Sequence, residues 1–284
     1  MPMAATIDIQ NRDCLEFLSL LPDESLDLIF TSPPYNIGSK ALRKDGFRRL
    51  GRYDVKSYSG IRDYPDAMPE ADYQDWQVEV LGVAARKLKP TGVLAYNHKS
   101  RRRNKVMIDP MEWLLRVKTL VKADEVVWDR GSTHNHDKTM LWPTTERIYI
   151  LRRRDGNYPF VTRADIPFRN DLWRVPLTNS PAIGHAAPFP LSLAVAVVEA
   201  YSRPGELICD PFSGSGTTAL AALTRGRRFT GCELKADYCA KSIERVRTAL
   251  EQAERLSVVP DFTSHDLVSP PLTGASVEHA KEAA

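Results

Sequence analysis

No run in the 284-residue sequence approaches the ~18 consecutive apolar residues that span a bilayer, so a membrane protein is not expected. Cysteine is scarce. Cys14, Cys209, Cys232 and Cys239 form no Cys-x-x-Cys pair and share no metal-ligand spacing. That excludes a disulfide scaffold and a metal site, and predicts reduced thiols in a cytoplasmic protein. The opening MPMAATIDIQ has neither a basic segment nor a long apolar one, so no secretory signal is expected. What the chain does have is material for a core. It is 43% hydrophobic and 26% charged, enough for one large α/β domain or two small ones.

The net charge of +3 is unevenly spread. Residues 257–284 carry one Lys against two Asp and two Glu, which is −3 and leaves +6 for the rest. Residues 39–64 hold eight Lys/Arg and three Asp/Glu, interleaved with Phe47, Tyr53, Tyr58 and Tyr64. Lys99–Lys105 and Arg152–Arg154 are further basic clusters. Three clusters, one rich in aromatics, favour a polyanion partner over solvated loops.

Apolar spacing predicts helices over 14–21, 71–88, 111–120, 191–201, 217–223 and 235–256. Strands are expected over 26–30, 93–96, 125–128, 147–151, 207–209 and 228–232. Strands alternating with helices, without an internal repeat, predict an α/β fold: a mostly parallel, Rossmann-like sheet with helices on both faces. Residues 36–66 lack sustained periodicity and read as a long functional loop. Residues 152–187 are rich in Pro, Arg and Asn and read as an inserted recognition segment. The tail from Ser257 has no helix-length apolar stripe and is expected to be disordered or loosely attached.

Two strings carry chemistry. Leu207-Ile-Cys-Asp-Pro-Phe-Ser-Gly-Ser-Gly-Thr-Thr218 runs a strand into a glycine-rich turn and a helix start, where backbone can approach a ligand closely. About 20 residues further, the strand 228–232 ends in Glu233, placed to accept hydrogen bonds from ribose hydroxyls. No Gly-Lys-Ser/Thr follows the turn, so it is not the phosphate loop of a nucleotide hydrolase. The second string, Thr31-Ser-Pro-Pro-Tyr-Asn36, closes the strand 26–30. Its prolines fix the backbone and lack amide donors, leaving carbonyls free for a ligand. Ser32 adds a hydroxyl acceptor and Tyr35 a flat face for stacking. His134-Asn-His136 has the letters of a nuclease motif but no accompanying metal ligands, and reads as a polar loop.

These strings, in this order, resemble the β class of S-adenosylmethionine-dependent DNA amino-methyltransferases. In that class the catalytic tetrapeptide precedes the cofactor loop, a circular permutation of the usual methyltransferase order. The likeness spans about residues 7–250 and includes Asn11-Arg-Asp-Cys14, Leu88-Lys-Pro-Thr-Gly92 and His185-Ala-Ala-Pro-Phe-Pro190. Ala186 departs from the proline often found there, which weakens the assignment of His185.

The resemblance implies a catalytic domain over 1–256, with a DNA-contacting loop at 38–65, a target-recognition segment at 152–184 and a flexible tail at 257–284. It implies a catalytic set of Ser32, Pro33, Pro34 and Tyr35. S-adenosylmethionine would be held by Asp13, Cys14, His185, Asp210, Phe212, Gly214, Ser215, Gly216, Thr217 and Glu233. Arg43, Arg48, Arg49, Arg52, Arg101 and Arg102 are the expected DNA contacts. Double-stranded DNA is the expected partner, with a homodimer and a cognate restriction endonuclease as further candidates.

The expected reaction moves a methyl group directly onto the exocyclic amine of a flipped base. Methylation at C5 of cytosine needs a cysteine nucleophile, found in its family in a Pro-Cys dipeptide, and no cysteine here follows a proline. Within the resembling family Ser at position 32 usually accompanies cytosine and Asp adenine. The expected product is therefore N4-methylcytosine, with N6-methyladenine as the alternative.

Overall fold

The computed structural model describes residues 7–36, 68–103, 106–133, 141–157, 170–177 and 189–255. Outside them lie the loop 38–65 with Arg43, Arg48, Arg49 and Arg52, as well as His134, His136, His185, most of 152–184 and the tail. An eight-stranded sheet organises the chain. Its strands are β1 (Ile9–Asn11), β2 (Leu26–Thr31), β3 (Leu88–His98), β6 (Leu120–Asp129), β7 (Thr145–Arg153), β8 (Leu172–Arg174), β9 (Leu207–Asp210) and β10 (Arg228–Glu233). A two-stranded hairpin, β4 (Arg101–Arg103) and β5 (Val106–Ile108), stands apart from it.

The spatial order is β1-β10-β9-β2-β3-β7-β6-β8. The first five are mutually parallel, β7 runs antiparallel to both neighbours, and β8 is parallel to β6. The expected mostly parallel sheet is thus observed. Strand β9 pairs with β2 although some 180 residues separate them, so the glycine-rich string and the Ser-Pro-Pro-Tyr string leave neighbouring strand ends.

Central strands of a covered parallel sheet are buried on both faces and read as unbroken apolar runs. In β2, Leu28 and Phe30 enter one core and Ile29 the other. The first core is closed by α4 (Leu191–Tyr201), α5 (Thr217–Thr224) and α6 (Ala236–Arg255). The second is closed by α1 (Cys14–Leu20) and α2 (Glu70–Lys87). Helix α1 starts where the Asp13 carboxylate accepts from the amides of Leu15 (2.8 Å) and Glu16 (3.3 Å), an N-cap that satisfies two orphan donors. Helix α2 carries Glu70 and Asp72 in its first turn and Arg86 and Lys87 in its last, complementing its dipole.

Two expectations need correction, and two short strands were not anticipated. The helix expected over 111–120 is a single turn, α3 (Met111–Leu114). Trp113, Leu114, Val117 and Leu120 are all buried, which gave helical spacing. The ladder Leu120↔Arg153 instead draws Leu120 into β6, and three-residue turns at Val117 and Leu120 deliver it. Strands β1 and β8 were too short to show periodicity. The Arg152–Arg154 cluster closes β7 at the end paired with Val93, the end of the sheet opposite Ser32. There Arg153 pairs with Glu24 and Asp155, and Arg154 donates to the carbonyls of Lys118 and Leu120. These two arginines brace the fold.

Candidate active site

The glycine-rich turn is built around two buried acids. Asp210, 2% exposed, ends β9 and accepts from the Thr31 hydroxyl (2.7 Å), the Thr218 hydroxyl (2.7 Å) and the Phe212 amide (3.0 Å). Burial pushes its carboxyl up to about 6, against those stabilising hydrogen bonds. Glu233, also 2% exposed, accepts from the amides of Gly214 (3.0 Å) and Lys235 (2.9 Å). It ties the turn to the start of α6. Gly216, at φ 75°, opens α5; a Cβ there would sit 3.1 Å from the Val246 side chain of α6.

Strand β1 lies against β10 in the register Asn11↔Glu233, and the Asn11 amide donates to the carbonyls of Glu233 and Leu234, both at 2.9 Å. Asp13, Glu233 and the turn therefore share one rim of the sheet. Asp13 spends one carboxylate oxygen on its helix cap. Phe212 meets Trp76 of α2 edge-on, with ring centroids 5.7 Å apart. The Ser215 and Thr217 hydroxyls lie 2.9 Å apart and are engaged by Arg245 of α6, which reaches the Ser215 carbonyl at 2.8 Å. Cys14 is a core residue whose thiol is pushed up to about 12 by burial, and burial also raises the Cys209 and Cys232 thiols. None is poised as a thiolate nucleophile.

This rim fits a cationic, hydroxyl-bearing nucleoside cofactor. It supplies the carboxylates of Glu233 and Asp13, the second with one oxygen outside its helix cap, and the buried Ser213 hydroxyl has no hydrogen-bond partner among the described residues. Among those residues no group of potential metal ligands occurs. The Glu233→Ala substitution should weaken binding of such a cofactor by roughly 1–3 kcal/mol, because the Gly214 amide loses its partner and the turn its anchor. Titration calorimetry with S-adenosylmethionine checks this, and unchanged affinity would remove Glu233 from the site.

Next to the turn, Thr31 leads into Ser32-Pro33-Pro34-Tyr35. The Ser32 hydroxyl lies 2.8 Å from that of Tyr35, which donates to Glu146 of β7 at 3.0 Å. Asn97 of β3 donates to the Tyr35 hydroxyl (2.9 Å) and to Glu146 (3.2 Å), and Arg130, just beyond β6, reaches the other Glu146 oxygen at 3.2 Å. His98 packs on the Tyr35 ring with centroids 4.3 Å apart. Burial pushes its imidazole down to about 3, so it is neutral. Its Nδ1 faces the Lys99 carbonyl at 2.8 Å, and its Nε2 lies 2.9 Å from the Tyr73 hydroxyl. The Tyr73 hydroxyl also lies 2.7 Å from the Pro34 carbonyl. Of the two proline carbonyls expected to be free, that of Pro34 is therefore engaged within the protein.

Arg101, an expected DNA contact, is 5% exposed. Its guanidinium forms a two-point pair with Glu70 (2.7 and 3.0 Å) and lies over the Tyr73 and Trp113 rings, so it faces the interior. Arg102 is exposed. Motif reading missed Asn97, Glu146 and Arg245, and gave Thr31 no role of its own within its string. Glu146 did leave a signal, because it stands in phase with the buried Ile148 and Ile150 of a strand, where a carboxylate needs a reason.

A doubly faced parallel sheet with a glycine-rich turn and a Ser-Pro-Pro-Tyr loop on adjacent strand tips defines an α/β methylase architecture. A family model described as "DNA methylase", of the N6/N4 type, matches residues 26–244, and the chain belongs to that family. DNA adenine methyltransferase YhdJ of Escherichia coli (strain K12) is 28% identical over 280 residues, covering 88% of this chain and 86% of its own length. The solved PvuII DNA methyltransferase, cytosine-N4-specific, superposes with a TM-score of 0.63 at 21% identity, over 86% of this chain and 92% of that one. The complex of M1.HpyAVI with SAM gives 0.57 at 17% identity, over 85% and 99%. The two structures share the fold. Among the described residues no helix is long and apolar enough to cross a membrane.

Proposed function

We propose that the protein transfers a methyl group from S-adenosylmethionine to the exocyclic N4 of cytosine in double-stranded DNA. The observation that carries this reading is the Thr31–Asp210 hydrogen bond, which fixes the Ser32–Tyr35 loop against the glycine-rich turn. Asp13, the turn 212–217 and Glu233 hold the cofactor, and Asp210 braces the turn from behind. Bound S-adenosylmethionine supplies an electrophilic methyl group on a positively charged sulfur.

An exocyclic amine is a weak nucleophile because its lone pair is delocalised into the ring. In this reading the target base leaves the duplex and stacks on Tyr35, whose ring is backed by His98. The amine donates to the Ser32 hydroxyl oxygen and the Pro33 carbonyl, which draws nitrogen toward tetrahedral geometry and frees its lone pair. Positioning then supplies much of the acceleration, with no covalent enzyme intermediate. In this reading the exposed Arg102 and the loop 38–65 supply phosphate contacts, and the segment 152–184, apart from the bracing Arg153 and Arg154, serves target recognition.

The choice of cytosine rests on Ser32, a neutral acceptor where the resembling class uses Asp for adenine. The adenine activity carried in the name of the Escherichia coli relative supports the second reading, N6-methyladenine. Nucleoside mass spectrometry of DNA from cells expressing the chain separates the two. N4-methylcytosine is the expected product, and N6-methyladenine as the main product would overturn the base assignment.

A further inference from the structure

Glu146 has a place in this site that the methyl transfer alone does not use. The Tyr35 hydroxyl has one proton, and the Glu146 carboxylate 3.0 Å away can only accept it. The 2.8 Å contact between Ser32 and Tyr35 is then a bond donated by Ser32. Asn97 fills the remaining Tyr35 acceptor position at 2.9 Å. The proton direction along the chain is therefore fixed: Ser32 to Tyr35 to Glu146. One Ser32 lone pair faces the Asn97 amide at 3.3 Å and the other is left for an amine, and a carboxylate 7% exposed and anchored by Arg130 terminates the chain.

We propose that Glu146 takes up the proton that the methylated amine must release, through the Tyr35 and Ser32 hydroxyls. The inference rests on the amino-methylation reading above. Once methylated, the amino nitrogen is positively charged and recovers its conjugation only by losing a proton. The N–H bond breaks and its electron pair stays on nitrogen. Ser32 Oγ receives that proton as its own hydroxyl proton moves to Tyr35 Oη, and the Tyr35 proton moves to Glu146 Oε2. Three O–H bonds form while one N–H and two O–H bonds break, and Glu146 ends neutral. An amine protonated against ring conjugation is so acidic that a carboxylate suffices as acceptor. Charge-assisted chains of this kind also polarise one another, which strengthens Ser32 as an acceptor beforehand.

The titratable and charged groups facing this chain are Arg130 on Glu146, with His98, Lys99 and Tyr73 around Tyr35. Asp210 titrates nearby at about 6, but it is common to wild type and variants.

The test compares wild type, Glu146→Gln, Tyr35→Phe and the double variant in single-turnover methylation of DNA. Each single variant should lose roughly 10²-fold in rate, the scale of general acid–base catalysis. The double variant should lose little more, because both break one chain. S-adenosylmethionine affinity should stay within about twofold, and the acid limb of the pH–rate profile should flatten in Glu146→Gln relative to wild type. A readout that needs neither cofactor nor DNA is the ¹³Cζ resonance of Tyr35 in labelled protein, identified by its loss in Tyr35→Phe. It should shift in Glu146→Gln.

An unchanged rate and acid limb in Glu146→Gln, with wild type active on DNA, overturns the proposal. Should that variant fail to fold, Tyr35→Phe decides, since it keeps the stacking ring and removes the hydroxyl that links Ser32 to Glu146. An unshifted Tyr35 resonance overturns the chain itself. Wild type inactive on DNA overturns the amino-methylation reading instead.

Discussion

Ser32→Ala should lower the single-turnover rate of methyl transfer by about 10²–10³-fold, the usual cost of deleting one preorganised hydrogen-bonding group at a reacting centre. S-adenosylmethionine affinity should change little. The substitution removes the acceptor for the amine and the first member of the chain to Tyr35 and Glu146. It leaves Thr31, which carries the link to Asp210, untouched. The Pro33 carbonyl remains, so a residual rate is expected. Quenched-flow methylation alongside titration calorimetry measures both quantities. A variant with near-native rate would remove Ser32 from catalysis, whereas a variant that had lost cofactor affinity would assign it to the cofactor rim.

Asp210→Ala should be the most damaging single change to the folded site. Its carboxylate satisfies three buried donors, from Thr31, Phe212 and Thr218, which link the catalytic loop, the turn and the first turn of α5. Stranding them should cost about 3–5 kcal/mol of stability and weaken cofactor binding as the turn loosens. The pH dependence carries its own signature. The folded-state pKa is raised, from 3.8 to about 6, so the folded protein holds this proton more tightly than the unfolded chain. Asp210 therefore favours folding most at low pH, and its contribution falls as pH rises from about 4 to about 6, by up to roughly 3 kcal/mol. Asp210→Asn cannot ionise, and should gain stability relative to wild type between pH 4.5 and pH 7. Thermal melts at both pH values give the comparison; an equal Tm difference at the two would refute the assignment.

The parallel sheet was readable because β2 and β9 are short, largely apolar runs, each ending at a turn signal or an acid, and β10 follows the glycine-rich turn and ends in Glu233. Contiguous strings also marked the catalytic loop and the glycine-rich turn. The polar floor of the site was not readable in the same way. Asn97, Glu146 and Arg130 come from the ends of β3, β7 and β6, and they converge only through the antiparallel pairings β3–β7 and β7–β6. No local motif encodes that convergence. The misread helix over 111–120 has the same origin: a helical apolar spacing overridden by a distant ladder partner. Arg101 shows the limit of charge counting, since a basic cluster does not say which of its members turns inward to a partner such as Glu70.

The most direct measurement follows the methyl group. Purified protein is incubated with S-adenosylmethionine labelled in the methyl carbon and with duplex DNA, RNA or protein as acceptor, beside Ser32→Ala as control. Label should enter DNA alone, on an exocyclic amine recovered after nucleoside digestion, and the control should lose it. Label in RNA or protein but not in DNA, or on C5 of cytosine, would contradict the account.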